Sequence, residues 1–162
     1  MIRAYKESDK QQVVEMIASL RVFLATLKSL KKDLDYEAAS AELQSYLDKG
    51  LPIFVADEQD SVVGYLVCKI DDDDVVWAES LFVRLEFRRH GIASALYSKA
   101  ERLAQRLGGD TVFNWVHPNN NVSISFLKAR GYNVLNLIEL RRPWKDEKLN
   151  TTIHVEDHAF DY

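Results

Sequence analysis

From Pro52 to Arg84 the chain consists almost wholly of β-forming residues, in three runs: "PIFVAD", "SVVGYLVCKI" and "VVWAESLFVR". Only the short polar stretches "EQDS" and "DDDD" separate them. Connections this short join strands that reverse direction, because a parallel crossover needs a dozen or more residues. The three runs therefore predict an antiparallel meander, with polar hairpin loops between the strands. Asp71–Asp74 reads as a solvated loop; attraction of a cationic substrate is the less favoured reading.

The rest of the chain supplies helices to cover such a sheet. Ile2 to Tyr5 alternates weakly and reads as a short first strand. Glu7 to Asp9 offers caps for a helix beginning near Lys10, and Val13, Val14, Ile17, Leu20, Leu24 and Leu27 fall on one of its faces. A second helix, roughly Tyr36 to Lys49, carries Ala39, Leu43, Tyr46 and Leu47 and stops at Gly50. After the meander, a long helix with Ile92, Ala95, Leu96, Leu103 and Leu107 on one face ends at Gly108-Gly109. "TVFNWV" reads as a fifth strand, Val122 to Leu127 as a fourth helix stopped by Gly131, and "YNVLNLIEL" as a sixth strand. The expected order is β-α-α-β-β-β-α-β-α-β, with a right-handed, locally parallel unit in the second half. This is an α/β fold in layers, with helices on a mixed sheet. One domain spanning residues 1–162 is expected, with a polar tail from 144 to 162 whose "TTIHV" could add a strand.

Composition removes several function classes. A formal net charge of −4 gives no basis for broad nucleic-acid binding. No apolar run approaches the roughly 20 residues of a membrane span, and "MIRAYKESDK" lacks the apolar segment of a signal peptide, so the expected location is cytoplasmic. Cys68 is the only cysteine, which excludes an internal disulfide and a multi-thiolate cluster; it reads as a small buried side chain. His154 and His158, with Glu156 and Asp157 between them, lack a metal-site context, and no metal is expected. His117, before Pro118, reads as a capping residue of a strand-helix turn ahead of a base. Trp77, Trp115 and Trp144 read as core or interface residues.

The sharpest local signal is "RRHGIASALYSKA", Arg88 to Ala100. Two arginines and a histidine precede a helix whose own dipole is positive at that end, so the basic residues work against it. An anion arriving from outside resolves the conflict. Gly91 allows close backbone approach, and the first helical turn leaves N–H groups without internal partners. Free amides, dipole and guanidinium groups together describe a diphosphate site; a solvated basic turn is the plain alternative. The nucleoside-triphosphate loop GxxxxGK(S/T) and the dinucleotide fingerprint GxGxxG are both absent.

With these residues in view, "ESLFVRLEFRRHGIASAL" resembles the acyl-CoA segment of the GNAT-superfamily N-acetyltransferases, whose pattern is (Arg/Gln)-x-x-Gly-x-(Gly/Ala). Here the segment reads Arg88, Arg89, His90, Gly91, Ile92, Ala93. A second block, "VHPNNNVSISFLKARGY", is similar to the family's next strand and helix, with Asn120 eleven residues before Gly131-Tyr132. The resemblance covers roughly Ile2 to Arg142. It implies a mixed, mostly antiparallel sheet of about six or seven strands flanked by helices, with a V-shaped splay between the fourth and fifth strands. It further implies that backbone groups of Leu81, Phe82 and Val83 bind the pantetheine arm of acetyl-CoA, that amides from Arg89 to Ser94 hold the pyrophosphate, and that Asn120 contacts the thiol end or pantetheine. Homodimers are frequent in the family.

Acetyl transfer needs a neutral amine, and an alkyl ammonium of pKa ~10.4 is at a disadvantage of roughly 4–5 kcal/mol at pH 7. A base must take the proton, and the thioester oxygen needs a donor. Strand alternation gives Glu79 the same face as Leu81 and Val83, and its position matches a glutamate of the polyamine-acetylating branch; it is the candidate base, against a plain exposed carboxylate. The backbone N–H of Val83 resembles the family's thioester donor. Many relatives carry a tyrosine acid where this chain has Leu127; Asn114, Tyr97 and Tyr132 are the neighbours weighed in its place. The expected reaction is direct attack by a primary amine on acetyl-CoA in a ternary complex. The alternatives are a protein N-terminal acetyltransferase and a non-catalytic acyl-CoA-binding module.

Overall fold

The computed structural model describes residues 1–59 and 61–162; Asp60, in the expected "EQDS" turn, lies outside the described residues. These residues form two compact units, 1–115 and 116–162. In the first, strands β1 (Ile2–Ala4), β2 (Ile53–Glu58), β3 (Ser61–Ile70) and β4 (Val76–Val83) form an antiparallel sheet in the order β1-β2-β3-β4. The meander therefore forms as its short turns require. The turn before β4 is built by Asp71, whose Oδ1 accepts from the N–H groups of Asp73 at 3.1 Å and Val75 at 2.9 Å. An aspartate that satisfies backbone donors a few residues on is a turn former.

Helices α1 (Lys10–Leu27) and α2 (Tyr36–Asp48) cover one face of the sheet. Val13, Ile17, Ala39 and Leu43 pack there against Val55, Tyr65 and Val67, all buried. α2 starts where Asp35 Oδ1 accepts from Ala38 N at 2.8 Å, an ordinary N-cap. Helix α3 (Ile92–Arg106) packs on β2, β3 and β4, with Leu96, Tyr97, Ala100 and Leu103 buried. Gly64 decides how closely it can approach. A Cβ there would sit 3.0 Å from the Phe82 carbonyl oxygen and 3.2 Å from Leu96 Cδ1. The first turns of α3 are thereby held directly over the end of β4.

The second unit holds α4 (Asn121–Ala129) and a hairpin of β5 (Thr152–Val155) and β6 (His158–Asp161). The "TTIHV" segment thus finds its strand partner within its own chain. The expectation of one sheet of six or seven strands is corrected: the described residues form a four-stranded and a two-stranded sheet. "TVFNWV" touches the main sheet at one residue, a parallel bridge between Phe113 and Trp77. Asn114 explains part of this, since its Nδ2 donates to the Val112 carbonyl at 3.0 Å and so competes for a backbone acceptor. "YNVLNLIEL" forms no strand, and Val134, Leu135 and Leu137 are exposed. Apolar residues there fall in adjacent pairs and define no single face, so β propensity finds no neighbour to pair with. Among the described residues no helix is long and apolar enough to cross a membrane.

Candidate functional site

After β4 the chain makes a short 3₁₀ turn, Leu85–Phe87, and enters the basic stretch. Arg89 (φ +66°) and Gly91 (φ +77°) both adopt the left-handed conformation. Two such residues within one turn bring successive N–H groups to one side, a backbone geometry suited to an anion. The N–H groups of Arg89, His90, Gly91, Ile92, Ala93 and Ser94 meet no acceptor among the described residues; Ala95 is the first to do so, on the Gly91 carbonyl at 2.9 Å. Arg89 and His90 are exposed beside these amides. Arg88 is partly committed elsewhere. Its Nε donates to the Val83 carbonyl at 2.8 Å, and its guanidinium lies 5.2 Å from the Phe82 ring centroid, tying the turn to the end of β4.

β4 is the edge of its sheet. Ala78 N donates to the Phe113 carbonyl at 2.9 Å, and Phe113 N donates to the Val76 carbonyl at 2.8 Å. Within the first unit, pairing along this edge stops there, so Glu79 to Val83 have no strand beside them on that side. Facing β3, Val67 pairs with Ser80 and Cys68 with Ala78. Glu79 is the extra residue of a β-bulge. The alternation that gave it the face of Leu81 and Val83 is therefore interrupted, because a bulge re-aims its side chains.

The helical layer brings a polar cluster to the same region. Arg21 on α1 forms an ion pair with Glu42 on α2, and Tyr46 Oη donates to the other oxygen of Glu42. On the sheet below, Tyr65 Oη and Ser80 Oγ share a buried hydrogen bond of 2.8 Å. Burial, then the hydrogen bond to Glu42, push the Tyr46 phenol well above its usual range, and the charge of Glu79 adds to this. Tyr46 is therefore a neutral phenol within electrostatic reach of Glu79. Glu42 carried no sequence signal, because its role depends on a helix-helix contact.

Trp77, read as a core or interface residue, is half-buried. Its Nε1 donates to Asp71 Oδ2 at 3.2 Å. Its ring centroid lies 5.1 Å from that of Phe113 and 5.1 Å from that of Trp115. Trp115 is 77% exposed, so it is not a core residue of this chain. The readable signal was the "TVFNWV" alternation, which puts Phe113 and Trp115 on one side and Asn114 on the other.

Other candidates are committed elsewhere. Tyr97 Oη donates to Asn114 Oδ1 at 2.8 Å from a buried position, which leaves it poorly placed as an acid. In the second unit, Asn120 is buried and its Oδ1 caps α4 by accepting from Ser123 N at 3.1 Å. His117 hydrogen-bonds through Nδ1 to the Tyr162 hydroxyl. Leu127 is half-buried on α4. Burial pushes the Cys68 thiol up to about 12, which keeps it protonated. Among the described residues no group of three or more His, Cys, Asp or Glu side chains is placed to hold a metal ion. A hollow of about 190 Å³ beside the C-terminal end of α3 is lined by Asp73, Asp74 and Asp110, a charge set that repels a diphosphate.

Comparison with known proteins shows the family and the fold. Residues 17–132 match the acetyltransferase (GNAT) family. The chain is 32% identical over 85 residues to an uncharacterized N-acetyltransferase of Methanocaldococcus jannaschii, a match spanning 49% of this chain but only 38% of that protein. Among solved structures, an aminoglycoside N-acetyltransferase AAC(6')-Iy in complex with CoA is similar with a TM-score of 0.70 at 19% identity, covering 88% of this chain and 93% of that one. AAC(6')-IG from Acinetobacter haemolyticus gives 0.67 at 14% identity, covering 90% and 99%. A Bacillus halodurans protein, BH1408, gives 0.74 at 15% identity, covering 88% and 99%. At these identities the likeness shows the fold.

Proposed function

The chain belongs to the acetyltransferase (GNAT) family, and from that premise we propose that it moves the acetyl group of acetyl-CoA to a primary amine by direct attack in a ternary complex. The observation that carries the reading is the row of acceptorless N–H groups from Arg89 to Ser94 at the start of α3, beside the open edge of β4. Those amides, the helix dipole and the Arg89 guanidinium suit a pyrophosphate. The free edge of β4 from Leu81 to Val83 offers backbone groups to an extended pantetheine arm, in the manner of an added strand. The Val83 N–H serves the thioester oxygen, and Glu79 takes the proton of the attacking ammonium. Bond formation between amine nitrogen and carbonyl carbon is followed by departure of the thiolate, which leaves unprotonated or is protonated by solvent, because Leu127 has no proton to give. AAC(6')-Iy and AAC(6')-IG are aminoglycoside N-acetyltransferases, so aminoglycosides enter the acceptor panel.

The test is thiol release from acetyl-CoA, read with a thiol reagent, against polyamines, amino acids, aminoglycosides and short peptides. Amine-dependent release is the expected result. Release only with peptides assigns the acceptor to a protein N-terminus. CoA binding without release with any amine overturns the transferase reading in favour of a binding module, which Leu127 in place of tyrosine would then explain. A homodimer and a cytoplasmic location belong to the same reading. The exposed Val134, Leu135 and Leu137 support the dimer, which sedimentation velocity tests.

The strained turn gives a separate prediction. A non-glycine residue in the left-handed region costs about 1–2 kcal/mol. Arg89→Gly should therefore leave thermal stability unchanged or raised, while increasing KM for acetyl-CoA several-fold through loss of a cation. Unchanged KM would remove the Arg89 side chain from cofactor binding.

A further inference from the structure

We propose that Trp77 and Trp115 form an aromatic wall of the acceptor site, against which an alkylammonium substrate lies with its cationic end directed towards Glu79. The inference rests on the transferase reading and names the recognition chemistry of its second substrate. Trp77 lies two residues before Glu79 on β4, and its indole is fixed by the hydrogen bond to Asp71 and by the Phe113 ring. Trp115 packs on Trp77 with its ring tilted by 52° and is 77% exposed. The facing of these side chains is set by their neighbours. Asn114 is bonded to Tyr97 of α3, so Phe113 and Trp115 project to the opposite side of an extended segment. Trp77 pairs with Lys69, two residues along β3 from Val67, so it shares the face covered by α1 and α2, where Tyr46 lies.

The wall is chemically suited to a cation. Indole faces attract ammonium and methylammonium groups, most strongly among the aromatic side chains. An acidic partner on the Trp77 N–H, the Glu79 carboxylate nearby and the exposed Asp72 to Asp74 give the surroundings a negative sign.

Tetramethylammonium tests the wall without turnover, because it has no proton to lose and no lone pair to acetylate. Saturation-transfer NMR on its methyl protons, with excess CoA present, is expected to show binding to the wild type. The signal should fall at least fivefold in Trp115→Ala and be largely retained in Trp115→Phe, with neopentyl alcohol, a neutral branched analogue of similar size, giving a weaker signal throughout. In steady-state assays with the fastest amine of the panel, Trp115→Ala should raise the amine KM at least tenfold while kcat stays within threefold and the acetyl-CoA KM is unchanged. No tetramethylammonium signal in the wild type, or an equal one in Trp115→Ala, overturns the proposal. So does a change in sedimentation of Trp115→Ala with unchanged amine KM, which would assign the exposed ring to a contact between copies. Absence of turnover with any amine would overturn the transferase reading while leaving the NMR result to decide the wall.

Discussion

Asp9→Asn is expected to destabilise the first unit by about 2–4 kcal/mol at pH 7, the cost of removing one charge from a mostly buried pair. Asp9 is 3% exposed and lies between β1 and α1. Arg3 donates to both of its oxygens, at 2.7 and 2.9 Å, and also to Asp57 through Nε at 2.8 Å, so one guanidinium joins β1, the helix entry and β2. Asp9 Oδ2 further accepts from Lys6 N at 2.8 Å. Asparagine keeps the shape but replaces one acceptor oxygen with a donor that faces the guanidinium. The Arg3 hydrogen bonds, and then the Lys6 N–H, hold the Asp9 carboxyl below its ordinary value of 3.8. A carboxyl with a lowered folded-state pKa stabilises the fold fully above its unfolded value and loses that contribution as pH falls through the folded one. The difference between wild type and Asp9→Asn in urea unfolding should therefore be constant from pH 8 to about pH 5 and shrink below about pH 4. A difference that does not change with pH would mean that packing, not charge, fixes the pair.

Glu79→Gln is expected to lower kcat/KM for the amine at least tenfold at pH 7, about 1.4 kcal/mol of barrier, with KM for acetyl-CoA unchanged. The reason is the proton on the acceptor: glutamine keeps the size of the side chain and its polarity but cannot take a proton. The defect should narrow as pH rises towards the amine's own pKa near 10.4, because the acceptor then supplies its own lone pair. A parallel pH profile for both enzymes, offset by a constant factor, would assign Glu79 to electrostatic attraction of the ammonium. Equal rates at pH 7 would remove it from the mechanism.

The part of the proposed cofactor site that rests on backbone was legible in the sequence because it is local. Arg88 to Ser94 is a single stretch in which one glycine, a basic turn and a helix start are specified within seven residues, and the structure gives that stretch its left-handed turns and acceptorless amides. The acceptor side was only partly legible. Glu79 could be named from its position on the strand, but its bulge arises from the register between β3 and β4, which pattern alone does not set. Glu42 gains meaning only when α1 presents Arg21 to it. Trp115 reads in the sequence as a core or interface residue, and its exposure follows from a segment that leaves the sheet after one bridge.

The sequence by itself determined the antiparallel order of β2 to β4, the positions of α1 to α3 and the basic turn with its unbonded amides. Each of these depends on short-range rules: turn length, side-chain period, and amides that a helix start leaves unbonded. Only the tertiary structure decided that β1 pairs with β2, that "YNVLNLIEL" remains unpaired, that Glu79 sits in a bulge and that Phe113 and Trp115 pack their rings, tilted, against Trp77. Those outcomes depend on a second segment far along the chain. A strand needs a neighbour for its hydrogen bonds and an aromatic ring needs another surface, and neither neighbour is encoded in the residues that require it.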